Sequence, residues 1–204
     1  MTEDAPRRSR RSDGSEPILG HGLVYLRPAE RAEIPLFVRW FSEARTSRTL
    51  AFISPLSLPL EERWFEQMLE HQGQDRWHFV ICAQADDRPV GSIDLHELDM
   101  RNGSAGLGIA IGDPDDTGRG YGSDALRAIL TFGFDELRLE RIWLDVYDFN
   151  ERARRVYERV GFVHEGTLRH ALFSAGSHRD IHRMAILREE WSALANGAGP
   201  SDPA

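Results

Sequence analysis

The sequence predicts a single α/β domain, a mixed β-sheet of about seven strands with helices on both faces. Short apolar runs alternate with stretches of helical periodicity in the order β-α-α-β-β-β-α-β-α-β-β. Three consecutive strands imply hairpins and strand–helix–strand units imply parallel pairing, so the sheet is mixed. A length of 204 residues is enough for one full hydrophobic core and leaves little for a second.

Each element has its own signal. The run LVYLRPA (23–29) reads as a strand that Pro28 stops. Residues 33–44 place Ile34, Phe37, Val38 and Phe41 at helical spacing. Residues 59–72 open with Pro and acids, as helix N-termini do, and bury Leu60, Trp64, Met68 and Leu69. Residues 77–84, 89–98 and 104–112 are three strands in succession. A helix over 121–137 turns Leu126, Ile129, Leu130 and Phe134 inward, and a strand follows at 141–147. The helix 150–160 carries Asn150 as its N-cap and Gly161 as its stop. Two final strands flank SAGS (174–177), and residues 45–57 form a long loop. Residues 1–19, polar and rich in Arg, Ser, Gly and Pro, are expected to be a disordered tail. The domain then spans 20–194 and a flexible tail 195–204. RRSRR (7–11) reads as a solvated charge block, with contact to an anionic surface as the alternative.

Composition narrows the function. The net charge of −8 disfavours nucleic acid as a partner. All 25 basic residues are arginine, which removes Lys as a general base or Schiff-base former. Cys82 is the only cysteine, so there is no internal disulfide and no Cys-based zinc site. No apolar run has the length of a membrane span, and the N-terminus lacks the apolar region of a secretory signal. A cytoplasmic protein without membrane contact is expected, as a monomer or a homodimer.

The segment GIAIGDPDDTGRGYGSDAL (108–126) carries the chemistry. Gly118, Gly120 and Gly122 alternate between a strand and a helix. Bare backbone permits unusual φ and close approach of a ligand to the amides. The helix start near Tyr121 adds free N–H groups and the positive end of its dipole, which together favour a phosphate. Arg119 either contacts the anion or faces water; Ser123 either donates to it or caps the helix. A P-loop would need Gly-Lys-Ser/Thr, and the chain has no Lys. A dinucleotide fold would need G-x-G-x-x-G tight against the strand; here DPDDT intervenes, although Asp145 ends the next strand where a ribose-binding acid would sit.

TGRGYG (117–122) resembles the acyl-CoA pyrophosphate loop of the GNAT N-acetyltransferase superfamily, with Thr117 where Gln or Arg is usual. The resemblance runs over roughly 23–191. It includes LGIAIG before the loop, LRLERIWLDVYDFNERARRVYERVGFVHEGTLRHALF after it and the final RDIHRMAILREEW, and it is nearest the branch with ribosomal-protein N-terminal and spermidine acetyltransferases. It implies a GNAT-like sheet and acetyl-CoA as co-substrate, without a metal. It also implies direct transfer of an acetyl group to a primary amine, either a protein N-terminus or a small molecule such as a polyamine. A non-catalytic acyl-CoA-binding or regulatory module on the same fold is the alternative.

Direct transfer needs no enzyme nucleophile. Much of the rate can come from alignment, since proximity alone supplies roughly 7–11 kcal/mol. Tyr157 lies seven residues after Asn150, so both project from one helix face. Helix spacing alone leaves Tyr157 open as a core aromatic and Asn150 as a plain cap. The resemblance makes Tyr157 the general acid at the departing sulfur and Asn150 a contact to pantetheine. It also implies that the strand ending Ala110, Ile111, Gly112 splays from its parallel neighbour, pairs with pantetheine and polarises the thioester carbonyl with an amide, expected at Ile111. Thr117, Gly118, Arg119, Gly120, Tyr121, Gly122 and Ser123 complete the expected cofactor site. Arg154 and Arg155 face CoA phosphates or water, and Ala153 admits the cofactor or simply forms helix. Asp94, His96 and Glu97 are candidate bases, acting directly or through water, and Glu43 is a candidate for a cationic substrate. His164, His170, His178 and His182 invite a metal reading. Four residues along a strand are about 13 Å apart, too far for one ion.

Overall fold

A computed structural model describes residues 17–50 and 55–195. Eight strands form one sheet in the order β1-β2-β3-β4-β5-β6-β8-β7. They are β1 (Leu19–His21), β2 (Val24–Arg27), β3 (Trp77–Ala83), β4 (Pro89–Asp99), β5 (Ser104–Ile111), β6 (Arg141–Tyr147), β7 (Val163–Ser174) and β8 (Ser177–Leu187). All neighbours are antiparallel except β5 and β6. The helices are α1 (Ile34–Ser42), α2 (Ala44–Thr49), α3 (Leu58–His71), α4 (Tyr121–Thr131), α5 (Glu151–Val160) and α6 (Arg188–Ala195).

The two faces have separate cores. On one, α4 buries Ala125, Leu126, Ile129 and Leu130 against Val24, Ile81, Ile93, Leu95 and Ile142 of the sheet, and Tyr157, Val160 and Phe162 continue the cluster. On the other, Phe37 and Trp40 of α1 and Phe65 and Met68 of α3 cover Tyr25, Val80 and Cys82. The strands between them are buried on both sides, which is why β3 reads as a continuous apolar run.

The sequence order holds for these elements, with four corrections. The sheet has an extra strand, β1, which starts at Leu19, within the tail expected over 1–19. The rest of that expected tail, to residue 16, and residues 196–204 lie outside the described residues. Residues 44–49 are helical rather than loop; Glu43 caps α2 by accepting from the Arg45 amide at 3.3 Å. The expected helix over 121–137 is α-helical only to Thr131; a π-helical turn, Phe132–Glu136, follows, closed by Leu137 N–H donating to the Phe132 carbonyl at 3.1 Å. Residues 188–195, left unassigned apart from Arg188, form α6, whose Trp191 packs on Phe134.

One contact fixes the end of β5. The Gly112 amide donates to the Val90 carbonyl at 2.9 Å, and its own carbonyl accepts from Thr46 Oγ1 at 3.0 Å. A Cβ there would lie inside the Trp40 indole. Gly112→Ala is expected to destabilise the protein by about 1–3 kcal/mol through overpacking. In thermal denaturation that is a fall of about 2–4 °C per kcal/mol for a chain of this size; an unchanged melting temperature would show that Trp40 yields freely.

Candidate active site

The glycine loop is built to stay open. After β5, Asp113 caps a 3₁₀ turn, Pro114–Asp116, by accepting from the Asp115 amide at 2.9 Å. The Asp116 carboxylate is only 5% exposed and takes two bonds, 2.6 and 2.9 Å, from the Arg88 guanidinium. This ties the loop to the β3–β4 hairpin. Gly118 and Gly120 then adopt φ of +87° and +95°, the left-handed region that favours glycine. Gly120 is the N-cap of α4. Among the described residues, none of the six consecutive N–H groups from Gly118 to Ser123 has a protein acceptor. The first intrahelical donor of α4 is Asp124, to the Gly120 carbonyl at 3.1 Å.

Beside the loop the sheet opens. β5 and β6 pair only from Ser104↔Arg141 to Gly106↔Trp143. Beyond that, β5 stays with β4 as far as Gly91↔Ile111, and β6 stays with β8 as far as Tyr147↔Ile181. Because Gly112 N–H bonds back to Val90, the alternation of an antiparallel ladder turns the backbone groups of Ala110 toward β4. Those of Ile109 and Ile111 turn into the gap.

Loop, gap and α5 together line a cavity of about 510 Å³. Of the expected site residues it brings together Ala110 and Ile111, Thr117, Gly118, Gly120, Gly122 and Ser123, and Asn150 with Tyr157. Three expected members do not line it. Gly112 has both backbone groups spent as described. Arg119 is largely exposed and reaches toward Asp116 at 3.9 Å. Tyr121 packs on the core beneath α4.

On α5 the Asn150 side chain accepts from the Ala153 amide at 3.2 Å, so it is a cap that also faces the cavity. Tyr157 is 9% exposed, sits edge-on to Phe162, and receives no hydrogen bond at its hydroxyl among the described residues. Burial pushes its phenol up to about 12. Arg154 and Arg155 do not line the cavity; they pair with Glu158 and Glu151 along the helix. The arginines that do are Arg45, Arg159 and Arg152, the last with its guanidinium 2.6 Å from where a Cβ on Gly118 would stand. Asp145 also lines the cavity, its carboxylate bound by Arg183 through two 2.8 Å bonds.

A second cavity, of about 490 Å³, lies toward α1 and α3 and shares Leu50, Gly108, Ile109 and Ala110 with the first. Asp94 lines it, 3.8 Å from Arg76 and 3.3 Å from the His96 ring. Neither Glu97 nor Glu43 does. Sequence reasoning missed two of its residues, Glu61 and His78. Cross-strand pairing brings His164 to His182, ring centroids 5.4 Å apart with Thr167 bonded to both, and His170 to His178. Spacing along one strand does not see such pairs. Among the described residues no group of three or more His, Cys, Asp or Glu is placed to hold a metal ion, and no helix is long and apolar enough to cross a membrane.

The comparisons with known proteins bear on this geometry. Residues 24–163 match the acetyltransferase (GNAT) domain model. The SPbeta prophage-derived uncharacterized N-acetyltransferase YokL of Bacillus subtilis is 32% identical over 137 residues, 67% of this chain and 75% of that protein. Spermidine N(1)-acetyltransferase of Escherichia coli K12 is 29% identical over 170 residues, covering 83% and 89%. The crystal structure of spermidine N-acetyltransferase from Vibrio cholerae in complex with CoA and spermine superposes with a TM-score of 0.77 at 25% identity, over 83% of this chain and 98% of that one. The chain belongs to the GNAT acetyltransferase family. It is an N-acetyltransferase that uses acetyl-CoA to acetylate an amine.

His78 gives the site a pH signature. It is 6% exposed, neither ring nitrogen has a hydrogen-bond partner among the described residues, and burial pushes its pKa down to about 4. The folded state therefore binds fewer protons than the unfolded one, whose value lies near 6.5. Its contribution is complete above that value and is lost as pH falls toward 4, by up to about 3 kcal/mol. In denaturant titrations His78→Phe should flatten the stability profile between pH 6.5 and 4; a profile parallel to that of the parent would refute the assignment.

Proposed function

We propose that the first cavity holds acetyl-CoA and that Tyr157 assists departure of its sulfur. The observation that carries this is the run of six amides, Gly118 to Ser123, that have no acceptor among the described residues, beside the open edge of β5. A helix start with free N–H groups binds a diphosphate without needing a lysine. Arg152, packed against Gly118, adds a fixed positive charge there. The N–H and C=O of Ile109 and Ile111 offer an extended chain the pairing that β6 no longer supplies. One of these amides meets the oxygen on which negative charge develops.

Bound acetyl-CoA supplies an activated thioester, so the protein's tasks are alignment, charge stabilisation and proton management. Tyr157 stays protonated throughout the working range, so it acts as a donor. A phenol near 12 is a reluctant acid toward a thiol whose value in water is about 8.5. The same dry cleft raises a thiol as it raises a phenol, which narrows the gap. A hydrogen bond from the phenol to the sulfur acts before any proton has moved. The amine arrives from the second cavity, which meets the first at Gly108–Ala110. A protein N-terminus and a polyamine, the substrate named for the spermidine enzymes, are the two candidate acceptors.

Tyr157→Phe should lower kcat by about 10²–10⁴-fold, the span of general acid–base contributions. It should leave the rise in melting temperature with saturating acetyl-CoA near that of the parent, about 2.7 kcal/mol of stabilisation at a hundredfold excess over Kd. An unchanged kcat on every accepted amine would remove Tyr157 from the chemistry.

A further inference from the structure

The second cavity restricts which amine fits. We infer that its acceptor carries one ammonium on an apolar body, that Glu61 is the carboxylate recognising that ammonium, and that polyamines are poor substrates. This rests on the first cavity being the acetyl-CoA site.

Glu61 stands in the first turn of α3, is only 5% exposed, and lines the cavity. Among the described residues it has no hydrogen bond or ion pair to its carboxylate. A buried anion in that state is costly until a cation meets it. The positive end of the α3 dipole offsets part of that cost, and burial raises the carboxyl above its usual range. An entering ammonium supplies what is missing.

The other charges of the cavity are already spent or of the wrong sign. Asp94 is held between Arg76 and His96. His78, depressed by burial, is neutral. Arg63 lines the cavity and is exposed. Among the described residues, Glu61 is the carboxylate lining the cavity that has no ion partner, so one ammonium is matched. The walls are apolar: Phe41 and Trp64, with Leu50, Leu56 and Leu60. A polyamine that placed one ammonium on Glu61 would lay the others against leucines and Arg63, where their desolvation is not repaid. An aryl or alkyl body gains from the same walls, at about 25 cal/mol per Å² buried. A volume of about 490 Å³ suits a small molecule or the first residue of a peptide.

The test uses the full chain with saturating acetyl-CoA and a thiol-release assay on 2-phenylethylamine, tripeptide amides beginning with Phe or Leu, and spermidine. At least one apolar monoamine should exceed spermidine in kcat/KM by tenfold or more, and the small-molecule and peptide arms separate the two sources of that chemistry. Glu61→Gln should raise KM for the best amine at least tenfold with a smaller change in kcat. It should leave the acetyl-CoA thermal shift intact, because Glu61 does not line the first cavity. Spermidine as the preferred acceptor, or an unchanged KM in E61Q, would overturn the inference. The parent comparison decides even if E61Q fails to fold. Failure of acetyl-CoA to stabilise the parent would instead overturn the donor-site reading beneath it.

Discussion

The site depends on the separation of β5 and β6 after Gly106 and Trp143. A parallel pair in the middle of a sheet normally continues, because each buried N–H or C=O left without a partner costs about 1–3 kcal/mol. Here each strand is held along its far side, β5 by β4 to Ile111 and β6 by β8 to Tyr147. Neither can lean across without breaking an antiparallel ladder. The gap is therefore a wedge with unpaired backbone edges on both β5 and β6. The free amides of the 118–123 loop stand at its mouth and α5 faces it. An extended ligand with an anionic end can satisfy a strand edge and a helix start together.

Electrostatics reinforce this placement in a chain of net charge −8. Two acidic residues near the loop, Asp116 and Asp124, are tied up rather than presented to an anion. Asp116 is gripped by Arg88, and breaking that pair would leave a nearly buried charge. Asp124, in the first turn of α4, accepts from the Leu23 amide at 2.9 Å and sits 3.3 Å from His21 and 3.6 Å from Arg127. Burial alone would raise its carboxyl; these partners outweigh burial and hold it below the usual range. Both carboxylates pin the loop while Arg45, Arg152 and Arg159 face the cavity.

Legibility followed physical signal strength. Elements with a clear period or an apolar run were readable: β2 to β8, α1, α3, α4 and α5. α2 was not, because ARTSRT has no apolar stripe, and three-residue β1 is too short to show a period. The π turn after Thr131 preserves the apolar pattern of a helix while changing its bonding. At the site, glycines at positive φ and a seven-residue Asn–Tyr spacing are written in residue types. Side-chain direction is only partly so. Arg154 and Arg155 caught the eye as a pair, yet Ala153 and Val156 carry the cavity face of α5 from Tyr157 round to Arg152. Glu61 was hidden because an acid near a helix start has an ordinary explanation, and only the fold shows it buried and without a partner among the described residues.

The two cavities draw on different parts of the chain, which limits what fold likeness says about substrate. The proposed donor side is mostly main chain: amides of one loop, one strand edge, one helix start. Any sequence that parts the strands and supplies the glycines would rebuild that geometry. The proposed acceptor side is made of side chains from α1, α3 and the strands beneath them, where one carboxylate or leucine more changes which charges are met. Identity of 25–30% to enzymes named for spermidine leaves room for that wall to differ entirely. Function at this level resides in the site rather than the fold, and among the described residues the proposed acceptor cavity holds one carboxylate without a partner, Glu61, beside apolar and aromatic side chains.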